Sequence, residues 1–328
     1  MAEVEGTRPG PTIALRVDID ALPIDDLSDV EFRSEIPGRA HACGHDVHAA
    51  IGLGVAEELA RRRDEISGRV RILFQPAEEV FLGAKAMIAV GAMEGVDAIF
   101  GVHNLPGIPV GSGIFARGSS AMAASDRFRI VVTGAGGHAA RPHETRDPIV
   151  AGAAVVTALQ TICSRAIDPG DAAAVSVCRI HCGTAFNIIG DHLELEGTTR
   201  YLKGHVGDTI SSMVHTIAQS VAKAHRCEAS VEYDQMVPPL RTSPAAVDLA
   251  MDVATAMLGA AQVSLTEPSL GSEDFALYAA MAPASYFWIG SGGTNPLHSS
   301  KYAIDEACIP LGVKLMTEIV LRACRTSW

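Results

Sequence analysis

The octapeptide His41-Ala-Cys-Gly-His-Asp-Val-His48 places three imidazoles, a thiol and a carboxylate in one short stretch. Each of these groups can bind a divalent cation, and Cys and His are the borderline-soft donors that suit zinc and its transition-metal neighbours. Gly44 lets the backbone turn sharply enough for Cys43 and His45 to converge on one point. Two residues fill only half of a coordination shell. A solvated histidine-rich loop therefore competes with a metal site until the rest of the chain supplies further ligands.

Working outward, the flanking segments deliver such groups at strand ends. Residues 12–17 form an apolar run of strand type that leads into Asp18-Ile-Asp20-Ala-Leu-Pro23. Two acids spaced by two point the same way, so they can brace ligands from behind. Asp46 is expected to cap a helix reaching about residue 63, with Val47, Ile51, Val55 and Leu59 on one stripe. A strand over 68–74 delivers Gln75-Pro-Ala-Glu-Glu79, where neighbouring glutamates point in different directions and can take different tasks. A helix near 84–90 and a strand over 97–102 follow, and that strand ends in His103-Asn-Leu-Pro106. Open α/β sheets carry their chemistry at the carboxyl ends of such strands.

From about residue 117 the pattern changes. Residues 125–133 alternate as a half-exposed strand does, and Gly134-Ala-Gly-Gly-His138-Ala-Ala-Arg-Pro-His143 is a glycine-rich loop. A helix near 147–165, strands near 173–181 and 192–201, a helix near 206–225 and a strand near 228–233 complete a β-α-β-β-α-β order. That is the ferredoxin-like split βαβ pattern. The chain then returns to α/β type, with helices near 244–259 and 309–325, a short helix opened by Gly271-Ser-Glu-Asp-Phe275, and a buried strand over 286–290. The expected fold is α/β: a discontinuous catalytic domain (1–116 and 236–328) with a central, mostly parallel sheet and helices on both faces. A ferredoxin-like α+β domain (117–235) is inserted into it.

Bulk properties narrow the function. The 328 residues carry a net charge of −12 and no basic run, which argues against nucleic acid or an anionic membrane as partner. The N-terminus is polar and turn-forming, without the basic and apolar regions of a signal peptide. No apolar window is expected to span a bilayer, and the alanine-rich stretch 149–159 reads as a buried helix. Seven irregularly spaced cysteines do not suggest a disulfide framework, so the cytoplasm is the expected compartment.

Strand-end acids, HACGHD, QPAEE, GVHNLP, GAGGHAARPH, GSEDFA and a late PLHSS occur in that order. Together they resemble the M20 metallopeptidase family, in particular its amidohydrolase branch, over nearly the whole chain. The resemblance implies a two-metal site (zinc, manganese, nickel or cobalt) with Cys43, His45, Glu79, His103 and His298 as ligands and Glu78 as general base. It implies that His138 steadies the oxyanion, that Asn187 contacts substrate, and that the small domain is both lid and homodimer interface. Asp18, Asp20 and Asp46 are expected behind the ligands. Recognition of a free carboxylate by Arg200 or Arg141 is a reading from charge alone.

The implied substrate is a small N-acyl amino acid. A dipeptidase or carboxypeptidase using the same site is the nearest alternative, and a truncated, catalytically silent metal-binding dimer is the alternative from another class. His48 reads as a structural helix histidine, His143 as a partner of loop backbone or site, and Glu273 and Asp274 as supports for a helix start and the metal loop. Two departures from the family pattern stand out. The helical segment that precedes the first motif strand in relatives is short here, leaving a truncated, differently started or naturally short chain open. Prolines after Asn187 and His298 are missing, which leaves those loops and substrate preference open.

Overall fold

A computed structural model describes residues 1–117 and 120–328. The chain divides into two compact units, 1–121 with 240–267 and 273–328, and 122–239 with 268–272. The inserted unit thus begins and ends a few residues later than the expected 117–235. Its last strand runs on to Val237, and it gains 268–272 through a bridge between Met122 and Ser269.

The first unit opens with β1 (Ala2–Glu5) and β2 (Arg8–Asp18), then α1 (His45–Arg61), β3 (Ser67–Gln75), α2 (Gly83–Ala89), β4 (Ala98–Leu105) and β5 (Gly113–Phe115). In the second unit lie β6 (Ala124–Thr133), β7 (Gly137–His138), α3 (Pro148–Leu159), β8 (Ala173–Cys182), β9 (Ile188–Ile189), β10 (His192–Tyr201), α4 (Gly204–Ala224) and β11 (Glu228–Val237). The first unit resumes with α5 (Pro244–Leu258), β12 (Val263–Leu265), α6 (Phe275–Ala279), β13 (Ala284–Gly290) and α7 (Cys308–Ala323).

The first unit's seven-stranded sheet has the order β1-β3-β2-β4-β13-β5-β12. β3, β2, β4 and β13 run parallel to their neighbours in this series, and β1 adds an antiparallel edge against β3. The expected turn at the N-terminus is therefore corrected. Ala2–Glu5 pairs residue by residue with 69–72, an edge position where alternating polar side chains are tolerated. β2 is buried on both faces from Ile13 to Asp18, as a central parallel strand should be. Ile13 and Leu15 join α1, α5 and α7 in the main core, whereas Arg16 points to the opposite face, toward Glu273 and Asp274 at the start of α6. The strand period of two produces this separation.

The second unit's four-stranded sheet has the order β11-β6-β10-β8, all antiparallel, which is the strand order of the ferredoxin-like fold. Phe128, Ile130 and Val132 alternate inward against α3 and α4, leaving Arg127 and Arg129 on the other face. A second correction concerns α3. Together with the turn that continues it to Ala166, it is long and apolar enough by length and composition to cross a membrane, and only 28% of that window is buried. Ala151, Val155 and Leu159 pack inward, but Ile149 and Val150 are about half exposed, at 45% and 53%.

Candidate metal centre

The parallel strands end together, and their ends carry the donors. Gly44, at φ +81°, turns the chain between Cys43 and α1. A Cβ on Gly44 would lie 2.2 Å from Asn104 Nδ2, so only glycine fits both the torsion and the space. Asp46 is corrected on both counts. It sits in the first turn and not at the cap, is exposed, and its carboxylate accepts from the Val47 N–H and from no ligand residue among the described contacts. β3 ends at Gln75, and Ala77 takes a left-handed φ of 55° before Glu78 and Glu79. His298 is also left-handed, at φ 65°, and its N–H is held by the Ala42 carbonyl at 2.7 Å. Such torsions cost free energy in residues other than glycine and cluster at functional sites.

His103 lies within β4 and not beyond its end, because β13 pairs with β4 as far as Leu105. Within this unit, donor atoms of Cys43, His45 and His103 lie within 4.8 Å of one another, as do those of Cys43, Glu79 and His298, and those of His45, Glu78 and Glu79. Cys43 Sγ is 3.5 Å from His103 Nε2, and His298 Nε2 is 3.3 Å from Glu79 Oε1. Among the described residues, His45 Nε2 and Glu79 Oε1 are buried without a hydrogen-bond partner. Unpaired buried polar atoms are costly. A cation accepted by both would remove that cost, and the thiol, imidazole and carboxylate set suits a late transition metal.

Supports lie one layer out. Asp20 accepts from His45 Nδ1 at 3.0 Å and from the Glu79 N–H at 3.1 Å, fixing two donor segments to one carboxylate. Burial alone would raise the Asp20 carboxyl, but these bonds outweigh it and hold it below the usual range. His41, without an assigned partner in the sequence, meets the Asp20 carbonyl at 3.0 Å. Asp18 is shared between Arg16 and His48.

The electrostatics suit a cation. Burial, assisted by Glu79 and Glu78, pushes the Cys43 thiol up, and burial with Glu273 nearby pushes Glu78 up to about 11. His103 is held well below its usual value by burial and by His48, so it presents a neutral imidazole. A divalent ion would reverse the first two shifts, because it favours the charged forms.

Arg16, which sequence reasoning passed over, forms the floor of the site with Glu273 and Asp274, the two acids read there as supports for a helix start and the metal loop. Arg16, fully buried, donates to Gln75 at 2.9 Å, to Glu273 and Asp274 at 2.9 Å each, and to Asp18. Glu273 accepts from the Phe275 N–H at 3.0 Å and so holds the start of α6. Asp274 accepts from Gln75 at 2.8 Å and from the Ala84 N–H at 3.0 Å, tying down the end of β3. An arginine inside an apolar strand two residues before Asp18 was the available signal.

The remaining expected site residues lie in the second unit. His138 pairs with Ile188 across the small β7–β9 ribbon, and the Ala139 N–H donates to the Asn187 carbonyl at 3.3 Å. The ribbon thus brings His138 and Asn187 together, both exposed. Arg200 is separate from them, on β10, and donates to Ser272 Oγ at 2.7 Å. Arg141 and His143 are exposed beside Glu144.

The family model for peptidase family M20/M25/M40 matches residues 14–322. This chain belongs to that family. The M20 chain is 37% identical over 326 residues to the N-acetylcysteine deacetylase of Bacillus subtilis, covering 99% of itself and 85% of that protein. It is 41% identical to thermostable carboxypeptidase 2 of Saccharolobus solfataricus, covering 95% and 80%. It is 37% identical to the IAA-amino acid hydrolase ILR1-like 2 of Arabidopsis thaliana, covering 97% and 73%. A solved structure from Bacillus subtilis, described as a dinuclear metal binding peptidase from the M20 family, matches with a TM-score of 0.86 and 35% identity. That match covers 99% of this chain and 85% of the other. The M20 chain is accordingly a hydrolase acting on amide bonds.

Proposed function

We propose that this M20 hydrolase is a cytoplasmic amidohydrolase that removes the acyl group from N-acylated amino acids. Two divalent cations would be held by Cys43, His45, Glu79, His103 and His298. The observation that carries this reading is the convergence of these donors, among which His45 Nε2 and Glu79 Oε1 are buried without a hydrogen bond and Glu79 Oε1 faces His298 Nε2, itself one of the donors, at 3.3 Å. When bound, the cations lower the pKa of water and polarise the substrate carbonyl.

The protein's own groups do the rest. Glu78 takes a proton from the attacking water and returns it to the departing amine, so one carboxylate serves both half-reactions. Asp20 keeps His45 and the Glu79 segment in place. The second unit serves in this reading as lid and dimerisation domain. His138 donates to the developing oxyanion, Asn187 touches substrate, and Arg200 offers its remaining N–H donors to a free carboxylate. A homodimer through this unit is supported by the edge strand β8, whose Ile180 is 54% exposed, and by the open face of α3. Seven free cysteines accord with a reducing compartment.

A relative named as a deacetylase and another named as an amino-acid-conjugate hydrolase favour the N-acyl substrate. The relative named as a carboxypeptidase favours peptide cleavage by the same site, the second reading. A silent metal-binding relative would need a lost base or ligand, and all the positions named are filled. Hydrolysis of N-acetyl-methionine, N-acetyl-cysteine, hippurate and Gly-Gly by the purified protein, before and after chelation, separates the three. Faster turnover of the N-acyl amino acids, abolished by chelator and restored by metal, is expected. Preference for the dipeptide would move the assignment to the second reading, and no turnover in metal-loaded protein to the third. Zinc, manganese, nickel and cobalt are compared as the restoring ion, and sedimentation tests the dimer.

A further inference from the structure

Asn104 follows His103 directly, and its side chain makes bonds to several segments. Its Nδ2 donates to the Cys43 carbonyl at 2.8 Å and lies 2.9 Å from His48 Nε2, and its Oδ1 accepts from Ser291 Oγ at 3.2 Å and from the Tyr302 hydroxyl. Its backbone N–H also donates to His48 Nε2, at 2.9 Å. That nitrogen therefore carries the lone pair, and the proton sits on His48 Nδ1, which donates to Asp18 Oδ1. The other Asp18 oxygen is taken by Arg16. Both nitrogens of His48 and both oxygens of Asp18 are thus committed to protein partners, although each group lies beside His45. Asn104, His48, Asp18 and Arg16 are all fully buried.

We infer that Asn104, oriented by His48, is a positioning residue that fixes Cys43 against His103 and thereby sets the affinity and geometry of the cation site. This rests on the reading of Cys43 and His103 as ligands. The reason is geometric. Cys43 sits on the loop before α1 and His103 on β4, with no backbone pairing between those two segments in the sheet. The Asn104 amide bridges the Cys43 carbonyl to the residue after His103. Gly44 lies against Asn104 with no room for a Cβ, which would come 2.2 Å from Nδ2 and 2.7 Å from the Tyr302 hydroxyl. Asparagine is required because the position needs a donor toward Cys43 and an acceptor toward Tyr302 on one rigid plane. Partners of this kind, one layer behind the ligands, change metal affinity by about 10–100-fold when removed.

The test uses the full chain loaded with Co2+, whose thiolate-to-metal charge-transfer band reports the Cys43 contact directly. Asn104→Asp keeps the shape but loses the donor toward Cys43, and Tyr302→Phe removes one hydroxyl while keeping the ring. Both are compared with wild type for far-ultraviolet circular dichroism, Co2+ affinity, the charge-transfer band, and kcat and KM. For Asn104→Asp we expect native circular dichroism, Co2+ affinity lower by about 10–100-fold, and a shifted or weakened band. Its kcat should be recovered largely by excess metal, with little change in KM. Tyr302→Phe, which keeps the fold if Asn104→Asp does not, should shift the same readouts in the same direction by less. Wild-type affinity and band in a folded Asn104→Asp, or in Tyr302→Phe where Asn104→Asp does not fold, overturn the positioning role while leaving the metal site standing. Absence of a thiolate band in the wild type itself overturns the ligand reading, and the positioning role with it.

Discussion

Arg16 and Arg129 both hold carboxylates, but one does so out of water and the other in it. Arg16 on β2 is fully buried between Asp18, Glu273 and Asp274. Arg129 on β6 lies on the exposed face of the second unit's sheet, where it and Arg127 and Arg179 form a ladder with Glu194, Glu196 and Glu232. The bonds are similar in length, 2.9 Å from Arg16 to Glu273 and 2.5 Å from Arg129 to Glu194. Environment separates them. In the ladder, water would solvate either partner if the other left, so the pairs add little. Beneath the metal centre, removing the arginine would strand carboxylates in a site with no solvent to replace it. Burial pushes Asp274 up to about 7 even with Arg16 opposing it, which shows how weakly that site tolerates another negative charge.

Substitutions can break this contrast. The largest effect is expected from Arg16→Met, which matches the volume and removes the charge. Its loss should destabilise the protein by about 3–5 kcal/mol in urea denaturation, and a shift close to zero would mean water already reaches the cluster. Gly44→Ala comes next, since it adds a Cβ at φ +81° against Asn104. A loss of about 1–3 kcal/mol is expected, accompanied by weaker metal binding, and native metal affinity would contradict the packing described. At the small end, Arg129→Gln on the ladder should leave the denaturation midpoint and turnover at wild-type values. A clear drop would show that the exposed ladder acts as a network.

The two regions also differed in how readily the sequence disclosed them. The second unit's strands alternate over long runs with glycine-rich loops between them, and β10 occupies residues 192–201 as expected. The residues proposed as donors, which the structure brings within 4.8 Å of one another in groups of three, stood out in the sequence because strand ends, glycine and proline punctuate them. Two of their supports, Arg16 and Asn104, did not. Arg16 sits in an apolar strand where periodicity says nothing of an ionic partner more than two hundred residues away. Asn104 reads as a turn residue, yet β13 pairs with it opposite Ile289 and keeps it in the sheet. Asp46 was expected behind the proposed ligands from the family resemblance, but it follows His45 on a helix, where the next residue faces elsewhere. The strands β1, β5 and β12 are too short to carry a period.

Proton linkage sharpens the contrast further. Cys43 and Glu78 are raised in the metal-free protein, so binding a cation displaces protons. Higher pH therefore favours binding, and affinity should rise by about tenfold per pH unit for each proton released. Calorimetry between pH 6 and 8 in buffers of different ionisation enthalpy checks this, and affinity that falls with pH would contradict it.

The most direct test of the central claim is to measure metal content and hydrolysis together for wild type and Glu78→Gln. The account predicts about two cations per chain in both proteins, native circular dichroism in both, and N-acyl amino acid hydrolysis lowered by about 10²–10⁴-fold in the variant. Hydrolysis at the wild-type rate by metal-loaded Glu78→Gln, or a wild type that binds no cation, would contradict it.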